Sequence, residues 1–175
     1  MTAAPPISVS ITGTGLFTPA ESISNAELAA SLTASVERWN ADHADEIAAG
    51  TVSARDLPDV EFIERASGIG ARYVMEKSGV LDPDRMRPIL PLRSEDQLGV
   101  QAEMSLPAIE QALAQAGRRG ADVDAVIVGC SNLQRAYPAV AIEIQDAIGA
   151  GGWAFDMNVA CSSATFSIQN AVDAL

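Results

Sequence analysis

Between residues 153 and 175 the hydrophobic period of this chain changes, and that change limits what it can fold into. Trp153, Phe155, Met157 and Val159 alternate with Ala154, Asp156, Asn158 and Ala160, the period of two that belongs to a strand. From Cys161 onward, Ala164, Ile168, Ala171, Val172 and Leu175 recur at i, i+4, i+7, i+8 and i+11, one apolar stripe of a helix. Cys161 therefore stands at or beside the first turn of that helix. Unsatisfied backbone N–H groups and the positive end of the macrodipole are close to its sulfur, a setting that favours the thiolate over the thiol.

Upstream the same two periods alternate. Ile7, Val9 and Ile11 interleave with polar residues and break at Gly13-Thr14-Gly15, which predicts a strand over residues 7–12 followed by a turn. Ser24 or Asn25 caps a helix to about Arg38, with Glu27 placed for a capping box if Ser24 is the cap. The acidic ADHADEIAAG predicts a short helix ended by Gly50. Pro58 opens another helix that runs to about Ala66 and is ended by Gly68 and Gly70. RYVME reads as a short strand, and KSGVLDPDRMRPILPLR as a loop by its Gly and Pro content. Ser94 or Asp96 caps a long helix to about Ala116, closed by Gly117 and bent or broken at Pro107. VDAVIVGC (123–130) is a buried strand, and residues 138–148 form a helix that ends in GAGG. Strand–helix alternation of this kind predicts an α/β layered domain with a mostly parallel sheet. The pattern stops at Leu175 inside a helix with no closing glycine, so a longer protein is expected.

Composition narrows the function. With 175 residues, 48% of them apolar and 19% charged, the chain has material for one packed domain. Two cysteines give no disulfide framework, and the start MTAAPPISVSITGTG lacks a basic region followed by an apolar run. Apolar runs such as residues 125–128 are too short to span a bilayer. These features predict a cytoplasmic protein without membrane contact. The net charge of −12 argues against nucleic acid, whose binding depends on Lys and Arg neutralising phosphates. Residues 72–93 nevertheless hold five cations against three carboxylates, net +2, which leaves −14 elsewhere. Such a segment either steers an anionic cofactor or carrier or is an ordinary solvated loop.

VIVGCSN, YPAVAIEIQDAIGA and AFDMNVACSSATFSIQNAVDAL, in that order, resemble the N-terminal half of a thiolase-fold condensing enzyme of the 3-oxoacyl-(acyl carrier protein) synthase III group. EFIERASGIGARYV (61–74) resembles that group's segment with an aromatic, an arginine and a Gly-Ile turn before a second arginine. The resemblance implies the N-terminal half of an αβαβα layered fold over residues 1–175, with longer insertions near 39–60 and 76–93 and the C-terminal half absent. It assigns Cys161 as the nucleophile that takes an acyl group from acyl-coenzyme A, with its own N–H as one oxyanion donor. Phe62 matches an aromatic that stacks on the adenine of coenzyme A, in place of the more usual tryptophan, and Arg65 and Arg72 match basic residues near that cofactor. Tyr137 matches an aromatic at a homodimer interface that lines the neighbouring subunit's acyl pocket. The histidine and asparagine that assist decarboxylation belong to the family's second half.

The implied reaction is acyl transfer to Cys161, then decarboxylative condensation with malonyl-acyl carrier protein. Its substrate is acyl-coenzyme A, with no permanently bound cofactor. Two other readings stand beside it: passage of the acyl group from Cys161 to an alcohol or amine, and a non-catalytic partner subunit, which has no need of an activated thiol. Other candidate residues have plainer readings. Cys130, ending a buried strand, reads as a small hydrophobe, His43 as a surface residue in an acidic stretch, and Trp39 and Trp153 as packing residues. GTG (13–15) and GAGG (149–152) do not complete a dinucleotide fingerprint and read as turns. The cysteines lack metal-ligand spacing and there is no histidine cluster, so no metal is expected.

Overall fold

Strand β3 (Ala125–Gly129) and strand β4 (Trp153–Met157) lie side by side and parallel, with Ala125 opposite Trp153 and Gly129 opposite Met157. Parallel neighbours require a crossover, and helix α6 (Val140–Ile148) supplies it. α6 packs against both strands and against helix α5 (Val100–Ala116), while helix α7 (Ser163–Asp173) packs against β3. Ala102, Val140 and Ile144 are buried at the centre, with Leu98, Ile109, Val126, Val128, Leu133 and Ile148 packed around them. The computed structural model describes residues 8–175. Where the sequence predicts one packed domain, it shows two compact units: this one, formed by residues 8–17 with Arg93–Leu175, and a second formed by Thr18–Leu92.

In the second unit, strand β1 (Glu21–Ser24) pairs antiparallel with strand β2 (Ala71–Val74). The predicted β2 is there; β1 was not foreseen, because Ile23 is its one apolar residue and no alternation marks it. Helix α1 (Asn25–Asp42) starts at Ser24 with the complete capping box: Ser24 Oγ accepts from Glu27 N–H at 3.2 Å, and Glu27 Oε2 accepts from Ser24 N–H at 2.9 Å. Helix α2 (Ala44–Ala48) and helix α3 (Val60–Ser67) follow, the latter capped by Asp59 and closed by Gly68 at φ +68°. The segment expected to be all loop contains one helical turn, α4 (Ser78–Leu81).

Two expectations change in the first unit. Of the strand expected over residues 7–12, Ile7 lies outside the described residues and residues 8–12 form no strand. The chain after them runs along α5: a Cβ at Gly13 or Gly15 would overlap the carbonyl of Ala112 or Ala108. Thr14 N–H is bonded to Gln115 Oε1 at 2.7 Å, and the backbone of Leu16 makes two bonds with the Gln111 amide. Glutamine side chains thus satisfy backbone groups that a strand neighbour would otherwise take. Likewise α5 begins at Val100, after Gly99, rather than near Ser94. Gln97 Oε1 accepts from Ser94 N–H, and Gln97 N–H returns to the Ser94 carbonyl, closing a separate turn there. Pro107 sits within α5 without ending it.

Candidate active site

The turn between β4 and α7 carries Cys161. A 3-10 turn (Ala160–Ser162) joins strand to helix, so the cysteine sits in that turn, two residues ahead of α7. Ala160 has φ +46°, a left-handed conformation that costs a non-glycine residue about 1–3 kcal/mol. Ser163 holds the turn: its buried hydroxyl accepts from Val159 N–H at 2.9 Å and donates to the Ala160 carbonyl at 2.8 Å. Asn158 Oδ1 accepts from Ala160 N–H at 3.1 Å. Cys161 itself is exposed. A strained, braced turn presenting an exposed thiol ahead of a helix is suited to nucleophilic attack on an acyl carbonyl, with helix-start N–H groups near the developing oxyanion.

α7 does not face the sheet as its apolar stripe predicts. A Cβ on Gly129 would meet Ser167 Oγ at 2.5 Å and the Ser163 carbonyl at 2.8 Å, so β3 approaches the small serine side of the helix. Ile168, Val172 and Leu175 are exposed instead.

Residues 130–139 connect β3 to α6 and carry Tyr137, which is 87% exposed and precedes a cis Tyr137–Pro138 peptide bond. Cys130, expected to be a plain hydrophobe, is half-buried, and its Sγ accepts from Gln101 Nε2 and Asn132 N–H, each at 3.4 Å. A thiol placed beside two donors has a polar role that hydropathy alone does not reveal. Asp156, midway along β4, was not singled out by sequence reasoning. Its two carboxylate oxygens accept from Val140 N–H and Ala141 N–H, both at 2.8 Å, at the start of α6. This cap reaches across from a strand, so no local capping signal marks it; the hint was an acidic residue inside an apolar alternation.

In the Thr18–Leu92 unit, Phe62 and Arg65 share the exposed face of α3, with the guanidinium carbon 5.9 Å from the ring centroid. Arg72, on β2, donates to Asn25 Oδ1 at 2.8 Å, and buried Asn25 donates to the Ile69 carbonyl at 2.7 Å. Arg72 therefore also holds the start of α1 to β2. His43 stacks on Trp39 with centroids 4.1 Å apart, its Nδ1 2.8 Å from the Trp39 carbonyl, and Arg55 covers that indole at 3.9 Å. Trp39 packs as expected, while His43, expected as a plain surface residue, is half-buried against it. Trp153 stacks with Phe155 at 5.6 Å. Among the described residues there is no cluster of potential metal ligands, and no helix is long and apolar enough to cross a membrane.

No family model matches the chain. A β-ketodecanoyl-(acyl carrier protein) synthase of Pseudomonas aeruginosa is 54% identical over 140 residues, which is 80% of this chain and 40% of that protein. A β-ketoacyl-(acyl carrier protein) synthase III of Bordetella petrii is 29% identical over 163 residues, covering 92% of this chain and 38% of its own. The chain thus spans about two fifths of the length of these relatives. Among solved structures, 3-oxoacyl-(acyl carrier protein) synthase III of Aquifex aeolicus superposes with a TM-score of 0.59 at 20% identity, over 92% of this chain and 38% of that one. In sequence and in its thiolase-like α/β fold, the chain resembles the N-terminal part of a 3-oxoacyl-(acyl carrier protein) synthase III.

Proposed function

We propose that the whole protein to which this chain belongs is a condensing acyltransferase. The Cys161 thiolate attacks the carbonyl of an acyl-coenzyme A, and coenzyme A leaves as the thiol with one proton. Malonyl-acyl carrier protein then loses CO₂, and its α-carbon attacks the acyl-Cys161 carbonyl, releasing the cysteine and leaving a 3-oxoacyl chain two carbons longer on the carrier. The observation that carries this reading is an exposed cysteine in a braced strand-to-helix turn, on a chain 54% identical over 140 residues to a β-ketodecanoyl-(acyl carrier protein) synthase.

That relative's named product has ten carbons, so a donor adding two implies a medium-chain primer of eight. Phe62 and Arg65 supply a ring and a cation for the adenine and phosphates of coenzyme A. Arg72 adds a second cation, since its bond to Asn25 uses one of five donors. Tyr137 lines the acyl pocket of a partner subunit in a homodimer. The groups that assist decarboxylation belong to the remaining part of the fold, which also covers the exposed face of α7. The segments 39–60 and 76–93 are insertions, and the protein works in the cytoplasm.

Intact-mass measurement after incubation with octanoyl-coenzyme A tests the first step. The whole protein and its Cys130→Ala variant should gain one acyl group; Cys161→Ala should gain none. Acylation confined to Cys130 would overturn the assignment.

A further inference from the structure

The loop from Cys130 to Ala139 lacks regular secondary structure, so its backbone groups need side-chain partners. Those partners are concentrated on one residue. Gln101, in the first turn of α5, accepts at Oε1 from Gln134 N–H at 2.8 Å. Its Nε2 donates to the Asn132 carbonyl at 2.7 Å and lies 3.4 Å from Cys130 Sγ. Its own backbone N–H donates to Gln134 Oε1 at 3.1 Å. One primary amide thus pairs with the loop as a strand neighbour would, with acceptor and donor sides both engaged. The loop in turn supplies a cap that α5 lacks locally, because its N-cap is Gly99 and has no side chain.

Gly99 strengthens the case. Its φ of −63° is open to any residue, so its conformation does not call for glycine. The absence of a Cβ does leave room: the Gln134 amide, in its observed place, fills the position a Cβ would take, and Glu143 Oε2 stands 3.0 Å from it. Glu143 Oε1 accepts from Gly99 N–H at 2.9 Å, and Glu143 Oε2 pairs with Arg135 Nη2 at 2.6 Å. Arg135 Nε donates to the Pro138 carbonyl at 2.8 Å. The Gln101–Gln134 exchange and the Glu143–Arg135 pair therefore hold the loop on both sides of position 134, three residues before exposed Tyr137.

We propose that Gln101 is a positioning residue for acyl-chain selection: its amide fixes the loop that presents Tyr137, and so sets the depth of the pocket that Tyr137 closes. The inference rests on the reading of Tyr137 as an acyl-pocket residue. Gln101 makes no contact with reacting atoms in this role, so its loss should change which primer is preferred more than how fast a bound primer reacts.

The test uses the whole protein and the variants Gln101→Met, Gln101→Glu and Gln134→Ala. Gln101→Met keeps length and removes both polar groups, whereas Gln101→Glu keeps the acceptor for Gln134 N–H and loses the donor. Hydrogen exchange at the Gln134 amide reads the loop without reference to activity; it should speed up about tenfold or more in Gln101→Met and less in Gln101→Glu. Steady-state kinetics across acyl-coenzyme A primers of two to twelve carbons should show the ratio of KM values for long and short primers moving several-fold, with kcat for the best primer within about twofold. Gln134→Ala removes one cap bond at the start of α5 but keeps every side chain of that helix, so if Gln101→Met does not fold, this variant decides, and it should reproduce the shift in preference. Unchanged Gln134 exchange, or equal loss at every primer length, would overturn the proposal. Faster exchange with no acylation in the unaltered protein would leave Gln101 as the loop's holder and overturn the acyltransferase reading instead.

Discussion

The two units hold their irregular segments by different means. In the Arg93–Leu175 part, α5 and α6 bury Ala102, Val140 and Ile144, and the loop between β3 and α6 is held mainly by neutral amides. In the Thr18–Leu92 unit the buried apolar residues are Ile23, Ala29 and Val36, while carboxylates organise the loops. Glu27 completes the α1 cap and pairs with Lys77 Nζ at 2.6 Å, and Glu21 Oε2 accepts from Lys77 N–H at 2.8 Å. Glu76 accepts from Gly79 N–H at 3.0 Å, from Ile89 N–H at 2.6 Å and from Ser78 Oγ. Carboxylates serve helix starts in both units, since Asp156 caps α6 and Glu143 accepts from Gly99 N–H ahead of α5; the Thr18–Leu92 unit differs in using them for its turns, where the first uses neutral amides. Damage to packing or to a cap should register in the first, and loss of charge at the turns in the second.

The largest expected effect is in the packed unit. Ile144 is 1% exposed at the centre of the α5–α6–β3 contact, so Ile144→Ala should lower stability by about 2–5 kcal/mol. Hydrogen exchange should show α5, α6 and β3 losing protection while α1 keeps its own. Equal loss in both units would break the contrast. Next is the strand-borne cap: Asp156→Ala frees two N–H groups at the start of α6, and a lost cap costs about 1–2 kcal/mol. Asp156→Asn should recover part of that loss, since its one amide oxygen still accepts. Urea denaturation of the three proteins orders them, and identical midpoints would remove the cap from the account. Smaller again is Phe62→Ala. The Phe62–Arg65 contact is exposed, worth about 0.5–1 kcal/mol at most, so unfolding should barely change. KM for the acyl-coenzyme A should rise several-fold with kcat retained; a fall in kcat alone would detach Phe62 from cofactor binding.

Much of this contrast was legible in the sequence, and the reason it was legible is local. Ser24 and Glu27 three apart specify the α1 capping box, Gly68 and Gly117 mark helix ends, and the change of period at residue 160 locates the cysteine turn. What stayed hidden depends on partners far along the chain. Asp156 caps a helix that begins sixteen residues earlier, and Gln101 pairs with a loop some thirty residues ahead. The strand expected over residues 7–12 has the right alternation at residues 9 and 11, but alternation says nothing of which neighbour takes the backbone. Here the segment that follows runs beside α5, with Gln111 and Gln115 in that place. α7 shows the same limit: its apolar stripe was correctly read, while the face it turns to the sheet was decided by how closely Gly129 approaches Ser163 and Ser167.

Acid gives the mildest and most selective comparison. Glu27 is lowered from 4.5 to about 2, first by its hydrogen bond with Lys77 and then by those with Ser24. Glu76 is also lowered to about 2, first by the Ser78 hydroxyl and then by Ile89 N–H. A carboxyl that ionises more readily in the folded protein than in the unfolded chain stabilises the fold while ionised. Its contribution is therefore complete above about pH 4.5 and is lost as the pH falls towards 2. Both groups are solvent-exposed, so the effect is small and is further reduced by salt. Between pH 4.5 and 2, protection of the first turn of α1 and of the Ile89 amide should decline, once corrected for intrinsic exchange. In Glu27→Gln the α1 part of that decline should vanish, and in Glu76→Gln the Ile89 part, each variant starting from lower protection at neutral pH. The amide of Gln134, held by the neutral Gln101 side chain, is unaffected by either substitution and serves as the internal reference. If the glutamine variants keep the same pH slope at these sites, the carboxylates do not hold the Thr18–Leu92 unit in the way its hydrogen bonds indicate.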